Sequence, residues 1–284
     1  HLFSSSLRFS KIFISVFKKL LTSITNTPRT IYKFLKNRLQ VCYISKSVCL
    51  QGEKVMTVNI MLPRTREIPS FRAKDPMSAL THFIAFILCI VASPFLMMKG
   101  ASDNRSSLEL FSLSIFALST IFLYGASSCY HGFNIGVKRN KILRKIDHAM
   151  IGILVAGTYT PLCIISLRNV GGMKLMGFVW ILAISALVLK LFWINCPKWV
   201  SSVLYLLMGW ACAPSLGSIY RTLPSMGFVL LVLGGAAYTV GALIYALKIP
   251  MFEKNKYFKS HEIFHLFIMA GTLFHYLMIY NYCA

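Results

Sequence analysis

Residues 226–247 read MGFVLLVLGGAAYTVGALIYAL, twenty-two consecutive positions without a single charged side chain. A hydrocarbon core of about 30 Å needs roughly 20 mostly apolar helical residues to cross it, so this stretch alone specifies a membrane span. The same criterion, carried along the chain in both directions, finds six more: 79–98, 107–130, 146–167, 175–193, 200–219 and 261–280. Each is bounded by charge, Pro, Gly or Asn, as at Asn195-Cys196-Pro197-Lys198 and between Arg221 and Pro224. The runs are long and continuous rather than alternating, which selects helices over barrel strands. The expected fold is all-α: a polytopic bundle of seven transmembrane helices.

Composition agrees. Hydrophobic residues make up 56% of the 284 and charged residues only 13%, where a soluble domain carries nearer a quarter. A soluble enzyme is therefore excluded. The eight cysteines form no CxxC pair and give no sign of a disulfide framework or thiolate metal site. Loop charges predict the orientation. Ten Lys and Arg fall on the second, fourth and sixth loops (Lys138, Arg139, Lys141, Arg144, Lys145, Lys198, Lys248, Lys254, Lys256, Lys259). The alternate loops hold five: Lys99, Arg105, Arg168, Lys174 and Arg221. The N-terminus is accordingly expected in the cytoplasm, in a multi-pass protein of the cell membrane.

Residues 1–74 read as a basic tail ahead of a membrane domain at 75–284. Through residue 66 the tail carries twelve Lys or Arg and one acid, Glu53. Phe9, Ile12, Phe13, Val16, Phe17, Leu20, Leu21 and Ile24 fall at helical spacing with Lys11, Lys18 and Lys19 off that face. This suits an amphipathic helix on an anionic leaflet and equally a targeting segment. The chain opens on His1, which reads as a fragment, a processed form or translation of an upstream region, with Met56 or Met61 as alternative starts. The expected partner is membrane lipid, not nucleic acid.

Ionisable groups inside spans are expensive and are functional candidates by default. Those noted are His82, His131, Asp147, His148, His261, Glu262, His265 and His275. With seven crossings, the end of the second helix (Ser127 to His131), the start of the third (Asp147-His148) and the start of the seventh (His261 to His265) share one membrane depth. His261 and His265 are i, i+4, about 6 Å apart along one helix face, the spacing of a two-histidine chelate. Ser127 and His131 share that relation. A catalytic zinc takes three protein ligands and an exchangeable water, and His131, His261 and His265 can supply the three. Asp147 is then a base or water-holder beside the ion, and Ser127 a hydrogen-bond partner to water or a substrate carbonyl. A lone helical His is more often packed than ligating, so His82, His148 and His275 are left outside the site. His275 reads as a buried polar contact, and His148 as facing headgroups or another helix. His261-Glu262-Ile263-Phe264-His265 also matches the HExxH pattern in which Glu is a protease's general base. Against this, Glu262 also suits the rim of a helix N-terminus.

Four ordered motifs carry a family resemblance: Asp75-Pro76-Met77-Ser78-Ala79-Leu80-Thr81-His82, Ser127 to His131, Lys145-Ile146-Asp147-His148 with Ala156-Gly157-Thr158-Tyr159-Thr160-Pro161, and Ser260 to His265. Over residues 75–280 the chain resembles the hemolysin III family, the bacterial branch of the progestin and adiponectin receptor superfamily. The resemblance implies seven helices, a cytoplasmic N-terminus and a zinc ion near the inner leaflet on His131, His261 and His265. It implies roles for Ser127 and Asp147 around the zinc-bound water. Alkaline ceramidases resemble the same superfamily, so the implied chemistry is zinc-dependent hydrolysis of a lipid amide or ester. The receptor members carry Gln where this chain has Glu262, which weakens the protease reading. The alternatives are a non-enzymatic receptor or a pore-forming cytolysin in which zinc only ties helices together.

Overall fold

The structure, a computed structural model, describes residues 73–247 and 259–284. The expected tail helix and Lys248, Lys254 and Lys256 lie outside the described residues. The chain divides into two units, 1–70 and 71–284, and all that follows concerns the second.

Every long element among the described residues is helical: α1 (Pro76–Ser102), α2 (Ser107–Gly132), α3 (Val137–Pro161), α4 (Gly172–Phe192), α5 (Lys198–Gly209), α6 (Leu216–Thr222), α7 (Ser225–Leu247) and α8 (Ser260–Tyr282). Helices α5 and α6 together make the fifth crossing, so the bundle spans seven times. Local signals explain the boundaries. Pro76 sits in the first turn of α1, where a missing N–H costs nothing. Ser106 caps α2 in a reciprocal box: Glu109 N–H donates to its hydroxyl, and its own N–H donates to the Glu109 carboxylate at 2.8 Å.

Two spans differ from the sequence reading. The third was expected to begin at residue 146, yet α3 starts at Val137 and carries Lys138, Arg139, Lys141, Arg144 and Lys145 within the helix. Lys and Arg are good helix formers, and their heads can reach water while the backbone continues below. At the other end Pro161 lacks an N–H, and the helix widens into a π turn, Leu162–Ser166, closed by Leu167 N–H to Leu162 C=O at 3.0 Å. The fifth span was expected as one helix over 200–219. Instead it breaks between Gly209 and the short 3₁₀ turn Ala213–Ser215, because Pro214 cannot donate to the ladder and its ring clashes with the carbonyl four residues earlier. Tyr159 of α3 repairs the break: its hydroxyl donates to Gly209 C=O at 2.7 Å and accepts Cys212 N–H at 3.2 Å. A broken backbone at membrane depth survives only with such partners.

The helices close into a ring in which α1, α2, α3 and α4 pack in sequence. Helix α5 lies against α3, α4 and α7, and α7 packs on α8, which returns to α1. The outer surface is apolar (Phe83, Phe111, Phe122, Phe178, Ile181, Met226), a face that suits hydrocarbon and would be a liability in water. Small residues bring backbones together: a Cβ on Gly157 of α3 would lie 2.3 Å from Ser119 Oγ of α2. Gly157→Ala should therefore destabilise the bundle by about 1–3 kcal/mol. Thermal unfolding in detergent should show this loss and its partial recovery in Gly157→Ala/Ser119→Gly.

Candidate metal centre and cavity

Helix α2 ends, and α8 begins, at the same end of the bundle, and the two deliver the three imidazoles to one point. His131 and His265 are 3% and 2% exposed. One nitrogen from each of His131, His261 and His265 lies within 4.8 Å of the others. His131 Nε2 and His261 Nε2 stand 3.4 Å apart. Two nitrogens each about 2.0–2.1 Å from one tetrahedral zinc would be separated by about 3.4 Å. The donor set and its spacing therefore fit a small divalent ion.

The residue that orients this cluster is one to which the sequence reading assigned no role. Asp75, just before α1, accepts from His131 Nδ1 at 2.9 Å through Oδ2, and its own N–H donates to His131 C=O, also at 2.9 Å. An acceptor on Nδ1 keeps the proton there and leaves the Nε2 lone pair free, as ligating histidines require. The same hydrogen bond holds the Asp75 carboxyl below the ordinary carboxylate range. The signal available was an acid directly before a helix-starting proline, which by itself does not name its partner.

Asp147 of α3 and Ser127 of α2 line one cavity with His261 and His265. Asp147 is buried and lies 3.2 Å from His148 Nδ1. Of the two placements expected for His148, the structure shows the second: its ring meets Tyr130 of α2 edge-on at 6.2 Å, while its carbonyl accepts Tyr205 O–H at 2.6 Å. His82 is also closer to the site than its isolation in the sequence implied. Its ring stacks on His265 with centroids 3.7 Å apart and 12° between planes, edge-on to Tyr124 at 5.1 Å. Neither of its buried nitrogens makes a hydrogen bond. His275 is buried as expected, but its Nδ1 has no hydrogen-bond partner. Its ring fills the space over Gly234, where a Cβ would lie 2.6 Å from Nε2.

Glu262 is engaged at the helix terminus. Ser78 O–H donates to its Oε1 and Lys259 N–H to its Oε2, each at 2.9 Å. Both oxygens thus accept hydrogen bonds that tie α8 to α1 and satisfy an end-of-helix N–H, the helix-rim role expected as the alternative to the HExxH base.

From the histidines the cavity, about 150 Å³, extends past Ile151, Leu154 and Leu206 to His275 and the broken backbone at Gly209. Its wall is mostly apolar, with polar groups at the histidines and at Thr158, Ser201, Ser202 and Thr239, the usual make-up of a site for an amphipathic small molecule.

Seven apolar crossings, three converging imidazoles and a buried cavity define a polytopic membrane protein with a candidate metal centre at one end of its bundle. The family model for haemolysin-III-related proteins matches residues 71–276, and the chain belongs to that family. It is 35% identical over 215 residues to a hemolysin-3 homolog of Bacillus subtilis (strain 168), covering 75% of this chain and 97% of that protein. It is 31% identical over 212 residues to hemolysin-3 of Bacillus cereus, covering 75% and 93%. An adiponectin receptor protein of Drosophila melanogaster is 22% identical over 244 residues, covering 74% of this chain and 52% of that one. These likenesses place the chain among integral membrane proteins, in keeping with the cell membrane expected from its sequence.

Removing the carboxylate behind a ligating histidine typically weakens a metal site about 10–100-fold. Asp75→Ala should show a loss of that order for zinc in a chelator competition, with the helical content of the bundle unchanged.

Proposed function

We propose that this protein binds a zinc ion through His131, His261 and His265 and hydrolyses an amide or ester bond of a membrane lipid. The observation that carries the reading is the meeting of those three imidazoles, two of which, His261 and His265, line an apolar cavity together with the buried Asp147 carboxylate. A closed structural site would use four protein ligands. Here the cluster comprises three histidines, and the nearby Asp147 carboxylate lies 3.2 Å from His148 Nδ1 instead.

A divalent ion held there supplies Lewis-acid polarisation of a carbonyl and makes water acidic enough to react near neutral pH. The chain's own residues do the rest. Asp75 holds His131 in the ligating tautomer. As the water oxygen bonds to the carbonyl carbon, Asp147, with His148 Nδ1 3.2 Å away, takes the water's proton and then passes it to the departing amine or alkoxide as the C–N or C–O bond breaks. Ser127, on the same wall, donates to the substrate carbonyl. His82 braces His265 from behind by stacking, which keeps the ligand ring from rotating. The apolar wall along Ile151, Leu154 and Leu206 seats an acyl chain and excludes bulk water, which strengthens every electrostatic contact in the site. The substrate enters sideways from the inner leaflet between helices.

Metal analysis of the purified protein beside His261→Ala/His265→Ala tests the first half; the double variant should lose its zinc. Turnover of long-chain ceramides and lipid esters tests the second. Asp147→Ala should keep its metal while losing about 100-fold or more in rate, the range of a general base. A wild type fully loaded with zinc that turns over neither amide nor ester would leave a metal-tied binding protein and end the hydrolase reading.

A further inference from the structure

A second charged group lies inside the bundle, outside the histidine cluster. Lys190 interrupts the apolar run Leu187-Val188-Leu189-Lys190-Leu191-Phe192 near the end of α4. A lysine in that place usually snorkels to the headgroups. Lys190 instead turns inward and is 2% exposed. Its ammonium donates to the Ser201 hydroxyl of α5 in a short contact and to Cys196 Sγ at 3.1 Å. Cys196 Sγ and Ser201 Oγ are 3.2 Å apart, so the three groups form a buried triangle between α4 and α5.

Nothing in that triangle balances the charge. Among the described residues no carboxylate pairs with Lys190; the Asp147 carboxylate lies 3.2 Å from His148 Nδ1 instead. An ammonium that among the described residues is solvated by a hydroxyl and a sulfur is poorly compensated, and those two contacts use two of its three donors. Ser201 is the link outward. It and the adjacent Ser202 are buried and line the same cavity as the histidines. With its oxygen accepting from Lys190, the Ser201 hydroxyl can turn its hydrogen toward the cavity. Lys190 therefore presents positive potential on a mostly apolar wall through a hydroxyl donor.

We infer that the Lys190–Ser201 pair, with Ser202 beside it, is a recognition site for the anionic oxygen group of a single-chain lipid, a carboxylate or a phosphate. The inference rests on reading the cavity as a lipid site; it requires neither the metal nor turnover. Placed against Ser201 and Ser202, the anion neutralises the buried ammonium, and its alkyl chain follows the apolar wall. A fatty acid released by hydrolysis carries such a group, and so does a lysophospholipid.

The test is equilibrium binding to the full chain in detergent micelles, after chelator treatment so that any metal makes no contribution. The probes are three sixteen-carbon ligands: palmitate, palmitoyl lysophosphatidate and uncharged hexadecanol. Wild type should bind at least one of the two anions about tenfold or more tightly than hexadecanol, the worth of one charge-assisted hydrogen bond. Lys190→Met and Ser201→Ala should each abolish that preference while leaving hexadecanol affinity unchanged, which also reports that the cavity is intact. Preference for palmitate alone assigns a carboxylate, and preference for lysophosphatidate alone assigns a phosphate. Equal binding of all three by wild type overturns the inference, as does an anion preference that survives in both variants. Should either variant fail to fold, the wild-type comparison and the other variant decide. Loss of the hydrolase reading would leave this outcome untouched.

Discussion

In hydrocarbon a polar group has no water to turn to, so donors, acceptors and charges within the spans gather toward the protein interior. That constraint organises this bundle. His131, Asp147, His265, Lys190 and the Thr272 hydroxyl all point inward, and the outer face is left to Phe, Ile, Leu and Met. Inward polar groups from distant segments must then meet. Tyr124 O–H donates to Thr272 at 2.6 Å across α2 and α8, and Tyr276 O–H donates to Ala92 C=O at 2.9 Å across α8 and α1. The three imidazoles are the extreme case, since one nitrogen from each lies within 4.8 Å of the others in a candidate metal centre.

The irregular backbone follows the same logic. Pro161 and Pro214 each disturb a membrane helix, and both disturbances lie on elements that border the cavity. At the second break one phenol, Tyr159, satisfies a stranded carbonyl and a stranded amide together. The resulting gap between α5 and α6 contributes Gly209, Trp210 and Cys212 to the cavity wall. A straight fifth helix would pack more evenly and would fill that space. The prolines thus trade regular packing for room inside the bundle.

Glu262 illustrates how a motif and its environment can disagree. Its spacing between His261 and His265 matches a protease signature, but an acid in the first turn of a helix is also what that terminus favours. Ser78 O–H and Lys259 N–H reach both of its oxygens, so the local demand of α8 and its tie to α1 account for it. Asp75 presents the converse. It stands outside the first span with no periodic signal, yet it holds the His131 ring.

Hydropathy determined the number of crossings, because the length of an apolar run is a local property and the bilayer sets its threshold. Helical period placed His261 with His265 and Ser127 with His131 on common faces, and the count of crossings brought their ends to one depth. The rest needed the packed bundle. The break at Pro214, the stacking of His82 on His265, the return of His148 onto Asp147 and the inward turn of Lys190 are pairings between segments far apart in the chain or choices of side-chain rotamer. A one-dimensional pattern records which residues lie on a helix face. Only the assembled helices decide what that face meets, since the energy of a buried polar group is set by its neighbours and not by its own sequence position.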